Sequence, residues 1–186
     1  MIFTEKEITL KDGTKAILKS PIESDAEQLL NMIKQACGET DYLTRYPEEW
    51  RITVEQEQRW INNFVVAENG VCIVCYINGI IAGNCQINFG GGIKTRHSAT
   101  IGISILKDYW GLGIGSAMFE EMIEIAKERG VKIIELGVIE GNERAISLYE
   151  KYGFKIVCKR PNAFILKDGT MQSEIYMQKS LGEKNG

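Results

Sequence analysis

Residues 97–106, HSATIGISIL, have the β-branched content of a strand and run almost directly into YWGLGIGS at 109–116. Past these glycines, Ile114, Ala117, Met118, Met122, Ile125 and Ala126 recur at the spacing of one helix face, ending at Arg129-Gly130. A further apolar run, VKIIELGVI at 131–139, reads as a buried strand. A strand, a tight glycine-rich turn, a helix and a second strand are expected to close as a right-handed parallel crossover. That unit commits the chain to a mixed sheet with helices packed on it.

The rest of the chain fits around it. Residues 7–20 read as two short strands about Asp12-Gly13, and 71–77 with 80–89 as a hairpin about Asn78-Gly79. Ser24-Asp-Ala-Glu27 and Thr53-Val-Glu-Gln56 have the form of capping boxes. The first precedes Leu29, Leu30 and Ile33, the second Trp60, Ile61 and Phe64, each set at helical spacing. Asn142 to Tyr152 reads as a helix with Asn142 as its N-cap and Gly153 as its stop. Segments 154–158 and 172–177 read as closing strands, with Lys167-Asp-Gly-Thr170 as a turn. Neither a repeat nor a linker interrupts the 186 residues, so one domain is expected over 1–186, with a disordered tail from about residue 181.

Composition removes several functional classes. Net charge is −3 with no basic stripe, which argues against nucleic acid as a partner. The apolar stretch GVCIVCYINGIIAG is broken by Asn and Gly and is too short for a bilayer, so no membrane partner is expected. MIFTEKEITL lacks the pattern of a secretory signal, and five scattered cysteines suit reduced thiols, so the expected compartment is the cytoplasm. Cys72 and Cys75, three apart on a strand, would face opposite ways, and the chain has one histidine, His97; no metal is expected.

A glycine-rich turn opening a helix collects free backbone N–H groups at the positive end of the helix dipole, which suits an anion such as phosphate. The dinucleotide pattern GxGxxG is not met, because Ser116 or Met118 stands where its third glycine would be. The Gly-Lys-Ser/Thr of a P-loop is absent from the sequence.

The stretch NERAISLYEKYGF at 142–154 resembles the hallmark of the Gcn5-related N-acetyltransferases in Asn142, Ala145, Leu148, Tyr149, Gly153 and Phe154. Gly113 and Gly115 match the glycines of that family's acyl-CoA signature, while Trp110 stands where glutamine or arginine is usual. The resemblance covers about residues 7–178. It implies an α/β (α+β) fold with a mixed, mostly antiparallel sheet of about seven strands, helices on both faces and a parallel pair around a cofactor cleft. It implies acetyl-CoA as donor, held by Gly111, Gly113, Ile114, Gly115 and Ser116 at the pyrophosphate, by the main chain of Ile103 and Ile105 along the pantetheine arm, and by Asn142 and Tyr149. It also allows a homodimer through the sheet edge or the C-terminal strands.

The implied activity is acetyl transfer to a primary amine by direct attack; the alternative is an acyl-CoA sensor of the same fold that does no chemistry. Transfer needs a proton for the leaving thiolate, and a tyrosine, neutral at pH 7, can donate it; Tyr149 matches the family's tyrosine. It also needs a base, because an amine of pKa about 10 is mostly protonated at pH 7. The strand before the loop carries no carboxylate, and Thr100 stands near where an acid often occurs. Glu135, Glu39, Asp41, His97 or a water chain remain open, with Glu135 an acid inside a buried run. The acceptor pocket is expected around Glu39, Asp41 and Tyr42, with Tyr46 and Trp50 nearby; its acids, Glu48 and Glu49 among them, outnumber Arg45, which suits a cation.

Overall fold

A computed structural model of the chain describes residues 1–66 and 69–182. The strands are β1 (Lys6–Thr9), β2 (Lys15–Lys19), β3 (Gly70–Ile77), β4 (Ile80–Phe89), β5 (Ser98–Ile105), β6 (Ile133–Ile139), β7 (Lys155–Ile165) and β8 (Met171–Ser180). The α-helices are α1 (Ala26–Gly38), α2 (Val54–Val66), α3 (Ile114–Glu128) and α4 (Glu143–Lys151). The strands form one sheet in the order β1-β2-β3-β4-β5-β6-β8-β7. Neighbours are antiparallel except β5 and β6, which run parallel. This is the mixed, mostly antiparallel sheet expected, with eight strands.

Turn chemistry sets the hairpins. Asn78 (φ 51°) and Gly79 (φ 82°) both adopt the left-handed backbone that joins two strands with matching twist. The Thr53 box forms as expected: the Thr53 N–H donates to Gln56 Oε1 at 2.8 Å, and the Gln56 N–H to Thr53 Oγ1 at 3.3 Å. The Ser24 box does not. A short 3₁₀ turn at Glu23–Asp25 precedes α1, and Asp25 Oδ2 instead accepts the Ile22 N–H at 2.8 Å. The tighter turn exposes an earlier N–H, and the aspartate three residues on is the group that reaches it.

The two faces of the sheet carry different helices. Ile73 and Cys75 point into the larger core with Met118, Phe119 and Met122 of α3 and Ile146 and Tyr149 of α4. Val74, of opposite parity on β3, packs with Leu29 and Met32 of α1 and Ile61 of α2. A strand covered on both faces reads as a continuous apolar run, as β3 does. Phe119, fully buried against Tyr149 and Phe154 at centroid distances of 5.1 and 5.8 Å, anchors α3 to α4. Truncating such a ring costs about 3–5 kcal/mol. The CxxC divides between the faces: Cys75 lies in the α3 core and Cys72 beside Glu57 of α2, and burial pushes both thiols up to about 12.

The last two strands are longer than expected. β7 continues through a register shift after Arg160 to Ile165, and β8 lies between β6 and β7. Leu181, at the start of the tail expected to be disordered, donates its N–H to the Lys132 carbonyl at 2.7 Å and packs on the core. Residues 183–186 of that tail lie outside the described residues. Among the described residues, no helix is long and apolar enough to cross a membrane.

Candidate active site

The parallel pair holds for three rungs only: Ser98 with Ile133, Ala99 with Ile134, and Thr100 with Glu135. Beyond them each strand stays bonded to its other neighbour, β5 to β4 as far as Ile105 and β6 to β8 as far as Ile139. The sheet therefore opens between residues 101–105 and 136–139. The opening is a cleft of about 530 Å³, walled by Ile101 to Ile105 on one side and Gly137 and Val138 on the other. A split sheet leaves the facing main-chain groups of two strands without each other, and a ligand with amides of its own can take up such groups.

The glycine-rich turn closes one end of this cleft. Gly113 has φ 100°, a conformation that an L side chain adopts only with strain, and it is the N-cap of α3. No side chain caps that end of the helix. A Cβ on Gly115 would approach Leu148 Cδ2 of α4 to 3.0 Å, so the glycine lets α3 and α4 lie close together. Gly111, Gly113, Ile114, Gly115 and Ser116 all line the cleft. Lys11, Arg144 and Lys151 line it too, and Lys151 Nζ donates to Ser116 Oγ at 3.3 Å. First-turn N–H groups at a helix's positive end, ringed by three cations, suit a polyphosphate.

Trp110 explains the departure at its position. Its indole Nε1–H donates to the Ile105 carbonyl at 2.7 Å, and Arg144 stacks on the ring, 3.1 Å from its centroid. That carbonyl already accepts one hydrogen bond and keeps one lone pair; Ile103 has no such side-chain bond among the described residues.

Tyr149 lines the cleft from α4. It is buried and Leu148, its neighbour in sequence, half-buried. Tyr149 and Ile146, three apart, form the inner stripe of the helix. Burial pushes the Tyr149 hydroxyl up to about 12, with Arg144 acting in the opposite direction. The hydroxyl makes no hydrogen bond among the described residues. Asn142 caps α4 by accepting the Ala145 N–H at 3.3 Å, and it faces the cleft as well.

The other sequence-identified residues divide. Tyr42 lines the cleft; Asp41 lines a smaller adjoining pocket of about 160 Å³ with Thr44, Tyr46, Ile139, Phe164 and Gln172. Glu39 lines neither. Its Oε2 accepts the Lys107 N–H at 2.6 Å and its Oε1 the Gln35 amide at 2.9 Å, which ties the end of α1 to the turn after β5. Tyr46 and Glu48 strap the same connection to the β7–β8 turn: the Lys167 N–H donates to the Tyr46 hydroxyl at 3.0 Å, and Lys167 Nζ pairs with Glu48 at 2.5 Å. Trp50 donates to Cys37 Sγ at 3.3 Å. Glu135 sits on the last paired rung, its Oε1 receiving the Gln178 amide at 2.5 Å. His97 is exposed, before the paired end of β5 and away from the cleft. A further carboxylate that local sequence does not point to is Glu174 of β8, which lies against Gly137 but lines neither pocket. Its signal is a strand order, which local pattern does not carry.

A sheet split at its parallel pair, with a glycine-rich helix start at the mouth and a buried tyrosine at its side, defines a mixed α/β fold with a ligand cleft at the split. The model of the acetyltransferase (GNAT) family matches residues 38–154, more than half of the chain, and the chain belongs to that family. It is 40% identical over 85 residues to an uncharacterized N-acetyltransferase, MJ1207, of Methanocaldococcus jannaschii, covering 44% of this chain and 38% of that protein. It is 32% identical over 106 residues to the L-amino acid N-acetyltransferase AaaT of Escherichia coli, covering 56% of this chain and 65% of that one. The chain thus spans less than two thirds of the length of either relative. An acetyltransferase of GNAT family from Streptococcus pneumoniae superposes with a TM-score of 0.84 at 27% identity, over 89% of this chain and 99% of that one. The fold is also that of yncA from Salmonella typhimurium, solved with its cofactor acetyl-CoA: TM-score 0.77 at 17% identity, over 92% of this chain and 96% of that one.

Proposed function

We propose that this chain is a single-domain acetyltransferase that moves an acetyl group from acetyl-CoA to a primary amine, a small amine or a protein amine, by direct attack. The observation that carries the reading is the cleft opened where β5 and β6 part, with the uncapped first turn of α3 and three cations at its mouth. Bound acetyl-CoA supplies the activated acetyl group as a thioester. Gly111, Gly113, Ile114, Gly115 and Ser116 hold the pyrophosphate through main-chain N–H groups, helped by Lys11 and Lys151. The main chain of Ile103, with Asn142 beside it, holds the pantetheine arm. The main chain of Ile105 contributes as well, its carbonyl keeping one lone pair beside the hydrogen bond from Trp110.

Tyr149 serves as general acid. Its raised pKa keeps the proton on the hydroxyl at neutral pH, ready for a departing sulfur. The acceptor enters beside Asp41 and Tyr42, over a connection that Glu39 holds in place. Glu135, just below the opening, is one candidate base. We place the activity in the cytoplasm, in keeping with five free cysteines, and a homodimer at the open β7 edge, where Ile156, Val157 and Ile165 are exposed.

The test is the melting temperature with acetyl-CoA, ATP or NAD, followed by free-thiol release against an amine panel. A rise with acetyl-CoA alone and thiol release with an amine support the reading. Binding without release supports the sensor instead, and no rise at millimolar acetyl-CoA overturns both.

A further inference from the structure

Gly137 and Glu174 stand in a relation that local sequence does not suggest. β8 lies beside β6 with Gly137 opposite Tyr176 and Ile139 opposite Glu174, so Glu174 reaches diagonally across Gly137 on the same face. A Cβ on residue 137 would collide with Glu174 Oε1, and it would lie 3.1 Å from Glu174 Cδ. The missing side chain of Gly137 therefore leaves the space in which the Glu174 carboxyl sits, and Gly137 is part of the cleft wall. The carboxylate lies behind that wall, on the neighbouring strand, and Glu174 itself lines neither the cleft nor the adjoining pocket.

Its surroundings hold it there. On β7, Arg160 pairs with the Glu174 rung, and its Nη2 lies 2.8 Å from Oε2. Oε2 is sealed from solvent and has this ion pair as its contact, with no hydrogen bond among the described residues. Oε1 also makes no hydrogen bond among the described residues. The other titratable groups on this face of the three strands are Glu135 of β6, Tyr176 of β8, and Lys155 and Cys158 of β7. Two residues along β8, Gln172 Oε1 is likewise buried without a hydrogen bond, at the wall of the pocket that Asp41 also lines. Glu174 Oε1 and Gln172 Oε1, neither hydrogen-bonded among the described residues, suit a ligand that brings donors, as an ammonium does.

We propose that Glu174 is the base of the transferase reaction, and that the amine reaches it past Gln172. This rests on the transferase reading above. The bound ammonium first gives one proton to solvent by way of Glu174, which leaves a neutral amine with a lone pair. As that nitrogen forms its bond to the acetyl carbon it becomes acidic again and gives a second proton to Glu174 Oε1 through water. The carbon–sulfur bond breaks, and the sulfur takes the Tyr149 proton. Glu174 and Tyr149 then exchange that proton through solvent, which leaves acetylamide, free thiol and unchanged protein. Glu135 is less well placed, because it lies where the strands are still paired and already accepts from Gln178.

The experiment follows thiol release with acetyl-CoA as donor and a panel of L-amino acids, spermidine and an alanyl peptide amide as acceptors, from pH 5.5 to 9.5. For Glu174→Gln, kcat should fall by roughly 10²-fold or more, the acid limb of kcat/KM should vanish, and the acetyl-CoA thermal shift should persist. Glu135→Gln should keep the acid limb. In the double variant Glu174→Ala with Gly137→Glu, the vacated space accepts the new side chain, and activity should recover above that of Glu174→Ala alone. An unchanged pH profile in Glu174→Gln overturns the assignment while leaving the transferase reading intact. Absence of thiol release by the unaltered protein overturns the transferase reading and this role with it.

Discussion

Arg144 Cζ lies over the indole of Trp110, 3.1 Å from the ring centroid, while the same indole donates to the Ile105 carbonyl. One side chain thus links the end of β5, the glycine-rich turn and the first turn of α4. Trp110→Ala should release Arg144 from the cleft mouth and free a carbonyl. Stacked cation and indole hydrogen bond together are worth about 1–3 kcal/mol, so acetyl-CoA should bind roughly tenfold or more weakly by calorimetry.

Tyr149→Phe should lower kcat by roughly 10²-fold with the acetyl-CoA affinity nearly unchanged, since the ring and its packing on Phe119 stay in place. Steady-state kinetics beside a binding isotherm separates the two. Unchanged turnover would remove Tyr149 from the mechanism.

The same hydroxyl predicts an alkaline effect on stability. Its pKa is raised on folding from the ordinary 10.0 to about 12, so the folded chain holds the proton more tightly than the unfolded one. The stability this contributes is fully present below pH 10 and is lost as pH rises towards 12. Melting curves over that window should fall less steeply for Tyr149→Phe than for the unaltered protein.

Gly113→Val places a β-branched residue at φ 100°, where strain of about 1–3 kcal/mol is expected, and it crowds Lys11. The variant should melt several degrees lower and lose the acetyl-CoA-induced rise in melting temperature. A normal rise would show that the helix start does not hold the cofactor.

Glu57 is buried, 4% exposed, and desolvation raises its carboxyl above the ordinary 4.5. A raised carboxyl is stabilising in its protonated form, so that contribution is present below pH 4.5 and is lost as pH rises through the folded value. Glu57→Gln removes the buried charge and should melt about 2–4 °C higher at pH 7, with the advantage gone near pH 4. Differential scanning calorimetry at the two pH values checks it.

Much of this molecule is written in short-range pattern. The glycines at 111–115, the Asn78-Gly79 turn, the Thr53 box and the Asn142 cap each act within a few residues, through backbone conformations and hydrogen bonds that local sequence dictates. Hence β5, the turn, α3 and the tyrosine-bearing α4 were readable, and with them the cofactor side of the cleft.

The acceptor side was not readable in the same way. Ser24 looks like a cap but yields to Asp25, because a 3₁₀ turn comes first. Tyr149, not Leu148, lies on the inner stripe of α4, because the rotation of the helix is set by what it packs against. Most of all, Glu174 and Gly137 are distant in sequence and meet only because β8 inserts between β6 and β7. Local residues by themselves determined the strand, glycine-rich turn and helix beside the cleft, while the split was what the family resemblance implied. Strand order, a matter of long-range pairing and shared burial, decided which carboxylate stands behind its wall.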